Sequence, residues 1–219
     1  MKRSRLIGVV ILIAAAVLLV GVLVYSLVYK KILADSIYGN EIDRISRQFD
    51  VDNDGLNENI TILIYQKDSK NQFYLEVNHT KKSTVRLQLS GFENEANFCP
   101  EAFPQFNQPG RLICVFGPVG AHSENIELIS YQLQTNQLTP TIFNLDQSKS
   151  DNIASDAPLF GFENNNRLEF YVENRNYDAD PTLDSLRSYY YFKDDEFLFD
   201  KTVPLVGGEL NSNQEGKIN

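Results

Sequence analysis

Three patterns of apolar and polar positions succeed one another along the chain. From Leu6 to Tyr29 the run LIGVVILIAAAVLLVGVLVYSLVY holds no charged residue. A bilayer core takes roughly 20 apolar residues in a helix, so residues 6–29 are expected to span a membrane. In residues 30–49 the apolar positions Tyr38, Ile42, Ile45 and Phe49 recur at spacings of three and four, with Glu41, Asp43, Arg44 and Arg47 between them. That spacing predicts a helical stalk continuing the span. Beyond Phe49 the period becomes two.

Ile60, Ile62 and Ile64 share one face of a predicted strand, as do Phe73, Leu75 and Val77 in the next run and Val85, Leu87 and Leu89 in the third. Side chains of a strand alternate between faces, so each run buries one side. The short polar connections 66–71 and 78–83 imply an antiparallel meander. Two further groups follow: 111–116, 125–133 and 138–143, then 167–173, 187–192 and 196–203. The expected architecture is an all-β domain over residues 50–206, built of about nine strands in antiparallel meanders, as a sandwich or a propeller-like fold. Two stretches, 91–110 and 145–158, read as irregular, the first because of Pro100, Pro104 and Pro109. Residues 207–219 are polar and read as a disordered tail. Gly91-Phe92-Glu93-Asn94 recurs as Gly161-Phe162-Glu163-Asn164, which suggests an internal repeat.

The apolar run is too long for a secretory signal peptide, whose core is about 7–15 residues. Lys30 and Lys31 also interrupt before any small-residue cleavage site. Residues 6–29 therefore read as an uncleaved anchor in membrane lipid. Lys2, Arg3 and Arg5 precede the run and two lysines follow it, a mild positive-inside bias. Charge strengthens it. Five of the 20 Lys and Arg lie within residues 1–31, and all 29 Asp and Glu lie beyond, so the remainder carries 15 basic against 29 acidic side chains, net −14. Such a domain is repelled by an anionic inner leaflet and lacks the basic surface that nucleic acid demands. The expected topology puts residues 1–5 in the cytoplasm and the β domain outside it, on a single-pass cell-membrane anchor. The only two cysteines, Cys99 and Cys114, fit an exported disulfide. The alternative for Cys114 is a buried free thiol in the run Leu112–Phe116.

The segment Asp50-Val51-Asp52-Asn53-Asp54-Gly55-Leu56-Asn57-Glu58 carries the most chemistry. Carboxylates stand at loop positions one, three, five and nine, and glycine at six. Ca²⁺ takes six to eight hard oxygen ligands. Alternating aspartates in a tight loop aim three carboxylates at one point, Gly55 permits the turn, the Leu56 carbonyl adds an oxygen and Glu58 closes the shell. The expected ligands are thus Asp50, Asp52, Asp54, Leu56 and Glu58, and the plain alternative is an Asp/Asn/Gly turn without metal. The loop resembles the D-x-D-x-D-G calcium loop. It departs from an EF-hand because position twelve is Thr61 and because a strand follows instead of a helix. Loop-then-strand is similar to the calcium loops of integrin-type repeat β-propellers, the FG-GAP and VCBS repeats. The resemblance covers this loop and its following strand, roughly 16 residues. It implies a structural cation that stiffens the loop.

No HExxH, GxSxG, Walker or GxGxxG motif is present, and His79 and His122 are the only histidines. The loop 162–168 carries Asn164, Asn165 and Asn166 where a second metal site would need carboxylates, and the acidic cluster Asp178, Asp180 and Asp184, with Asp180-Pro181, reads as a plain turn. The expectation is a non-catalytic surface module, structural, adhesive or ligand-binding, stabilised by Ca²⁺. One alternative is an accessory subunit of a membrane complex or a homo-oligomer, packing through its anchor and the Tyr38–Phe49 stripe. A divergent hydrolase is the third.

Overall fold

A computed structural model describes residues 2–52, 54–99, 112–120, 123–145, 148–156, 160–164, 168–175 and 185–205. One helix, α1 (Lys2–Tyr38), precedes fifteen strands among the described residues: β1 (Asn40–Phe49), β2 (Glu58–Lys67), β3 (Lys70–Asn78), β4 (Val85–Leu89), β5 (Asn97–Phe98), β6 (Leu112–Val119), β7 (Ser123–Gln132), β8 (Gln137–Pro140), β9 (Ile142–Leu145), β10 (Ser148–Ser150), β11 (Ile153–Asp156), β12 (Phe160–Asn164), β13 (Leu168–Arg175), β14 (Ser185–Lys193) and β15 (Glu196–Leu205). The tail 207–219, the prolines Pro100, Pro104 and Pro109, the loop 165–166, the acids at 178, 180 and 184, Asn53 and His122 lie outside the described residues.

Helix α1 contains one stretch, Ala15–Leu33, long and apolar enough to cross a membrane, and none of it is buried against the rest of the chain. Val17, Leu18, Leu19 and Tyr25 each expose about two thirds of their surface or more. An apolar helix that its own domain leaves bare needs another apolar medium.

The helix ends at Tyr38, and the expected stalk ends with it. Residues 40–49 are a strand, contrary to the helical expectation. Gly39, at φ +90°, turns the chain, and a Cβ there would strike the Gln66 carbonyl. β1 then pairs antiparallel with β2 from Asn40↔Gln66 to Phe49↔Glu58, with a bulge between Glu41 and Asp43. The stripe dissolves among different surroundings. Tyr38 packs edge-on against Tyr74 and tilted against Tyr65, with the Arg86 guanidinium 4.9 Å above its ring. Ile45 and Phe49 pack against the core, while Ile42 is half exposed. Lys67 Nζ donates to the Ile37 carbonyl at 2.9 Å. The junction is thus fastened by the domain's own aromatic and cationic side chains.

The strands form three sheets. The first is the meander β1-β2-β3-β4. The second runs β11-β7-β6-β5, with β8 also on β7; the third runs β10-β9-β15-β14-β13-β12. Every pairing is antiparallel except β15 with β9. Two cores hold the sheets together, and alternation along the second sheet explains both. Ile113, Val115, Ile129 and Tyr131 point toward the first sheet, joining Ile60, Ile62, Leu75 and Val77. Leu112, Cys114, Ile126 and Leu128 point the other way and meet Phe143, Phe170 and Phe197 of the third. A strand covered on both faces reads as a continuous apolar run, as Leu112–Val115 does.

Cys99 and Cys114 are joined, with Cα atoms 5.5 Å apart. Cys99 N–H also donates to the Cys114 carbonyl at 3.1 Å. The bridge closes a 15-residue separation, worth about 3 kcal/mol on the chain-entropy account. Arg47 of β1 donates to the Cys99 carbonyl at 2.9 Å and lies over Phe98, which ties the first sheet to the second.

All nine expected strands are present, but the supposed irregular stretches contain β5, β10 and β11. The single run expected at 138–143 is two strands. At Thr141, buried and donating its N–H to the Leu128 carbonyl at 2.7 Å, the chain leaves the second sheet for the third. The suggested repeat has no structural counterpart: Gly91–Asn94 is a bend, whereas Gly161–Asn164 lies in β12.

Candidate metal centre

The loop between β1 and β2 springs from the closing pair Phe49↔Glu58. It is shaped by its aspartates. Asp50 accepts the Asp54 N–H at 3.1 Å through one oxygen and the Gly55 N–H at 2.9 Å through the other. Asp52 Oδ1 accepts from Asp54 N–H at 3.2 Å, and Asp54 Oδ1 from Leu56 N–H at 2.9 Å. Such side-chain-to-backbone bonds are what make aspartate a turn former. Gly55 takes φ +85°, in the left-handed region glycine enters without steric cost. Val51, fully buried in the core between the first two sheets, pins the loop from below.

Two overlapping groups of ligand atoms result, each within 4.8 Å. Asp50, Asp52 and Asp54 form one. Asp52, Glu58 and His79 form the other, and all three are buried. Asp52 belongs to both. Of the five residues expected as ligands, the fold gathers the four carboxylates around Asp52. Leu56, expected as a carbonyl ligand, has an exposed side chain and its N–H on Asp54.

Glu58 is the least well satisfied residue among the described groups of this centre. Its side chain is 0 % exposed. Oε2 accepts the Val51 N–H at 3.0 Å, and Oε1 is buried with no hydrogen-bond partner. Burial pushes the Glu58 carboxyl above its ordinary value; the Val51 bond opposes this, and the neighbouring charges of Asp52 and Asp54 add to it. An unsatisfied buried acceptor costs about 1–3 kcal/mol, more if charged. Burial, with Asp52 and Glu58 close by, also pushes the Tyr131 hydroxyl up. Lys81 acts in the opposite sense at the rim. Its ammonium lies 2.8 Å from Asp54 Oδ2 and, with the Leu56 N–H, holds the Asp54 carboxyl below its ordinary value.

The donor set suits a hard cation. Carboxylate oxygens are the ligands Ca²⁺ and Mg²⁺ prefer; Asp50, Asp52 and Asp54 form one such group, and an ion held by Asp52 on its Glu58 side would satisfy the orphaned Glu58 oxygen.

His79 is the member that sequence reasoning missed. It follows β3, and the register that pairs Asn59 with Asn78 sets it beside Glu58. The available signal was the tight turn of the hairpin. Asp68 and Ser69 both take positive φ, 51° and 62°, as a two-residue primed turn requires. Counting back from that turn puts residue 79 opposite residue 58.

No protein-family model, curated protein or solved structure matches the chain.

Proposed function

We propose that this chain is a membrane-anchored, non-catalytic surface module whose β domain lies outside the cytoplasm and is stiffened by one Ca²⁺ in the Asp50–Glu58 loop. The observation that carries the reading is the Glu58 Oε1 atom, fully buried, without a hydrogen-bond donor and grouped with Asp52. Asp50, Asp52, Asp54 and Glu58 would supply the carboxylates and Leu56 its carbonyl. The ion would supply positive charge where the loop concentrates negative charge.

Placement outside the cytoplasm rests on the net −14 of the domain, the bare apolar helix and the Cys99–Cys114 bridge, since disulfides persist in oxidising compartments. Extracellular calcium modules bind in the range of about 10⁻⁴–10⁻³ M, so a modest site suffices there. The three stacked sheets support a layered fold that borrows one calcium loop of the propeller type. The loop lies at the far end of β1 from the membrane junction, so an occupied loop would brace the hairpin that carries the domain on its anchor. The Tyr38–Phe49 stripe that suggested a partner subunit is absorbed instead: Tyr38, Ile45 and Phe49 all pack on their own domain.

Calorimetric titration of CaCl₂ into the full chain in lipid nanodiscs, stripped with chelator and desalted, tests this reading. Binding at about 10⁻³ M or tighter, absent from the Asp52→Ala, Asp54→Ala double variant, is the expected result. No heat in the wild-type chain would reduce the loop to a turn.

A further inference from the structure

Two side chains from the segment after β3 reach the loop, and each does something different there. His79 is 2 % exposed at its side chain. Its Nδ1 accepts the Lys81 backbone N–H at 2.9 Å, so that nitrogen carries no proton. The ring proton therefore sits on Nε2, which donates to Asp52 Oδ2 at 2.9 Å. Turning the ring over would put carbon against both partners. The Tyr131 ring, stacked 6.3 Å away at 25°, helps hold its plane. A ring nitrogen that carries a proton has no lone pair for a metal. His79 is thus not a ligand in this arrangement. Glu58 Oε1, 3.7 Å from Nε2, is beyond hydrogen-bond reach.

Lys81 meets the loop from the exposed side. Its side chain is 63 % exposed, and its ammonium is 2.8 Å from Asp54 Oδ2. The other Asp54 oxygen is taken by the Leu56 N–H. A cation ligated by Asp54 must therefore displace this ammonium or share an oxygen with it.

From these contacts we infer that the segment His79–Lys81 sets the cation affinity of the loop in two opposite directions: His79 raises it by holding Asp52 in its ligating pose, and Lys81 lowers it by competing at Asp54. This rests on the reading of Asp50–Glu58 as a calcium loop. The hydrogen bond to Oδ2 fixes the Asp52 carboxylate plane and leaves Oδ1 facing the loop, where it already accepts the Asp54 N–H. Partners that orient a ligand in this way are typically worth about 10–100-fold in metal affinity. Lys81 is the chain's own substitute charge, able to swing away because its stem is in water. Its removal exposes Asp54 to the ion at the cost of one solvent-exposed ion pair.

The test is calcium titration of the full chain in nanodiscs at one fixed pH, comparing wild type with Lys81→Met, Lys81→Arg and His79→Leu. Lys81→Met is expected to bind about fivefold tighter, as loss of an exposed competing ion pair allows, and Lys81→Arg to match wild type. His79→Leu is expected to bind at least about tenfold more weakly, compared only after its melting temperature in chelator is shown to match wild type. A gain of affinity in Lys81→Met cannot come from misfolding, so that variant decides the question even if His79→Leu fails to fold. Lys81→Met binding no tighter than wild type, or folded His79→Leu binding as tightly, overturns the proposal and leaves the calcium loop standing. A wild-type chain that takes up no calcium overturns the loop itself.

Discussion

Glu58 and Glu127 are both buried glutamates facing the core between the first two sheets, 0 % and 1 % exposed, and they are served very differently. Glu127 Oε1 accepts from the Ser90 N–H at 2.9 Å, the Ser90 hydroxyl at 3.2 Å and the Gly91 N–H at 2.6 Å. Glu58 has one backbone donor on Oε2 and none on Oε1, with two aspartates close by. Burial pushes both carboxyls above their ordinary values. The chain solves the first problem with its own N–H groups. For the second it supplies a hydrogen bond to the neighbouring Asp52, a lysine on Asp54, and nothing on the orphaned oxygen. A buried carboxylate is therefore not in itself a sign of metal, and an unmet oxygen alone is not either, since Glu124 Oε2 is also buried without a partner; what marks Glu58 is an unmet oxygen grouped with the Asp52 carboxylate.

The sharpest way to press the contrast is Glu58→Gln. In chelator it is expected to stabilise the domain, because it removes a buried carboxylate whose Oε1 accepts no hydrogen bond. In calcium at 100 times the dissociation constant it is expected to forfeit most of about 2.7 kcal/mol of binding-linked stability. The change of sign, read by denaturant unfolding in both buffers, is what matters. Glu127→Ala is next, at about 2 kcal/mol destabilising from lost charge-assisted hydrogen bonds, and equal in calcium and chelator. If the Glu127 loss proved calcium-dependent, the contrast would break.

A pH series probes the same pair. Glu127 has a folded pKa raised above its unfolded value near 4.5. Its stabilising contribution is thus complete below that pH and lost as pH rises through the folded value. The melting temperature of Glu127→Gln, which keeps an acceptor oxygen and cannot ionise, should accordingly gain on wild type as pH climbs from about 4, then run parallel to it. A constant offset across that range would contradict the assignment.

The smallest expected effect lies at the other end of the β1–β2 hairpin. Arg86→Met removes the guanidinium from over Tyr38 and Tyr65 and from its pair with Glu76, at about 1 kcal/mol. It should leave calcium affinity unchanged, since the membrane junction satisfies its own groups.

Much of the fold was legible in the sequence because one-sided burial imposes a period of two. β2, β3 and β4 alternate cleanly, and Leu112–Val115 announces a strand buried on both faces. β1 was misread for a physical reason. It is an edge strand on which Ile45 and Phe49 touch the core, and a spacing of four fits a strand face as well as a helix turn. Tyr38 lies in α1 and Ile42 is half exposed beside a bulge, so the apparent stripe joined two elements across Gly39. The break at Thr141 was hidden because an apolar run does not show which sheet each half joins. The candidate site divides in the same way. Asp50, Asp52, Asp54 and Glu58 are close in sequence and could be read directly. His79 reaches them only through hairpin register, which depends on placing the turn at Asp68-Ser69.

Whether a cation stiffens the loop is measured most directly by thermal unfolding of the full chain in nanodiscs, in chelator and in millimolar calcium. The expected result is a rise in melting temperature of about 1–5 °C with calcium, absent from the Asp52→Ala, Asp54→Ala double variant. Identical melting of the wild-type chain in both buffers would contradict it.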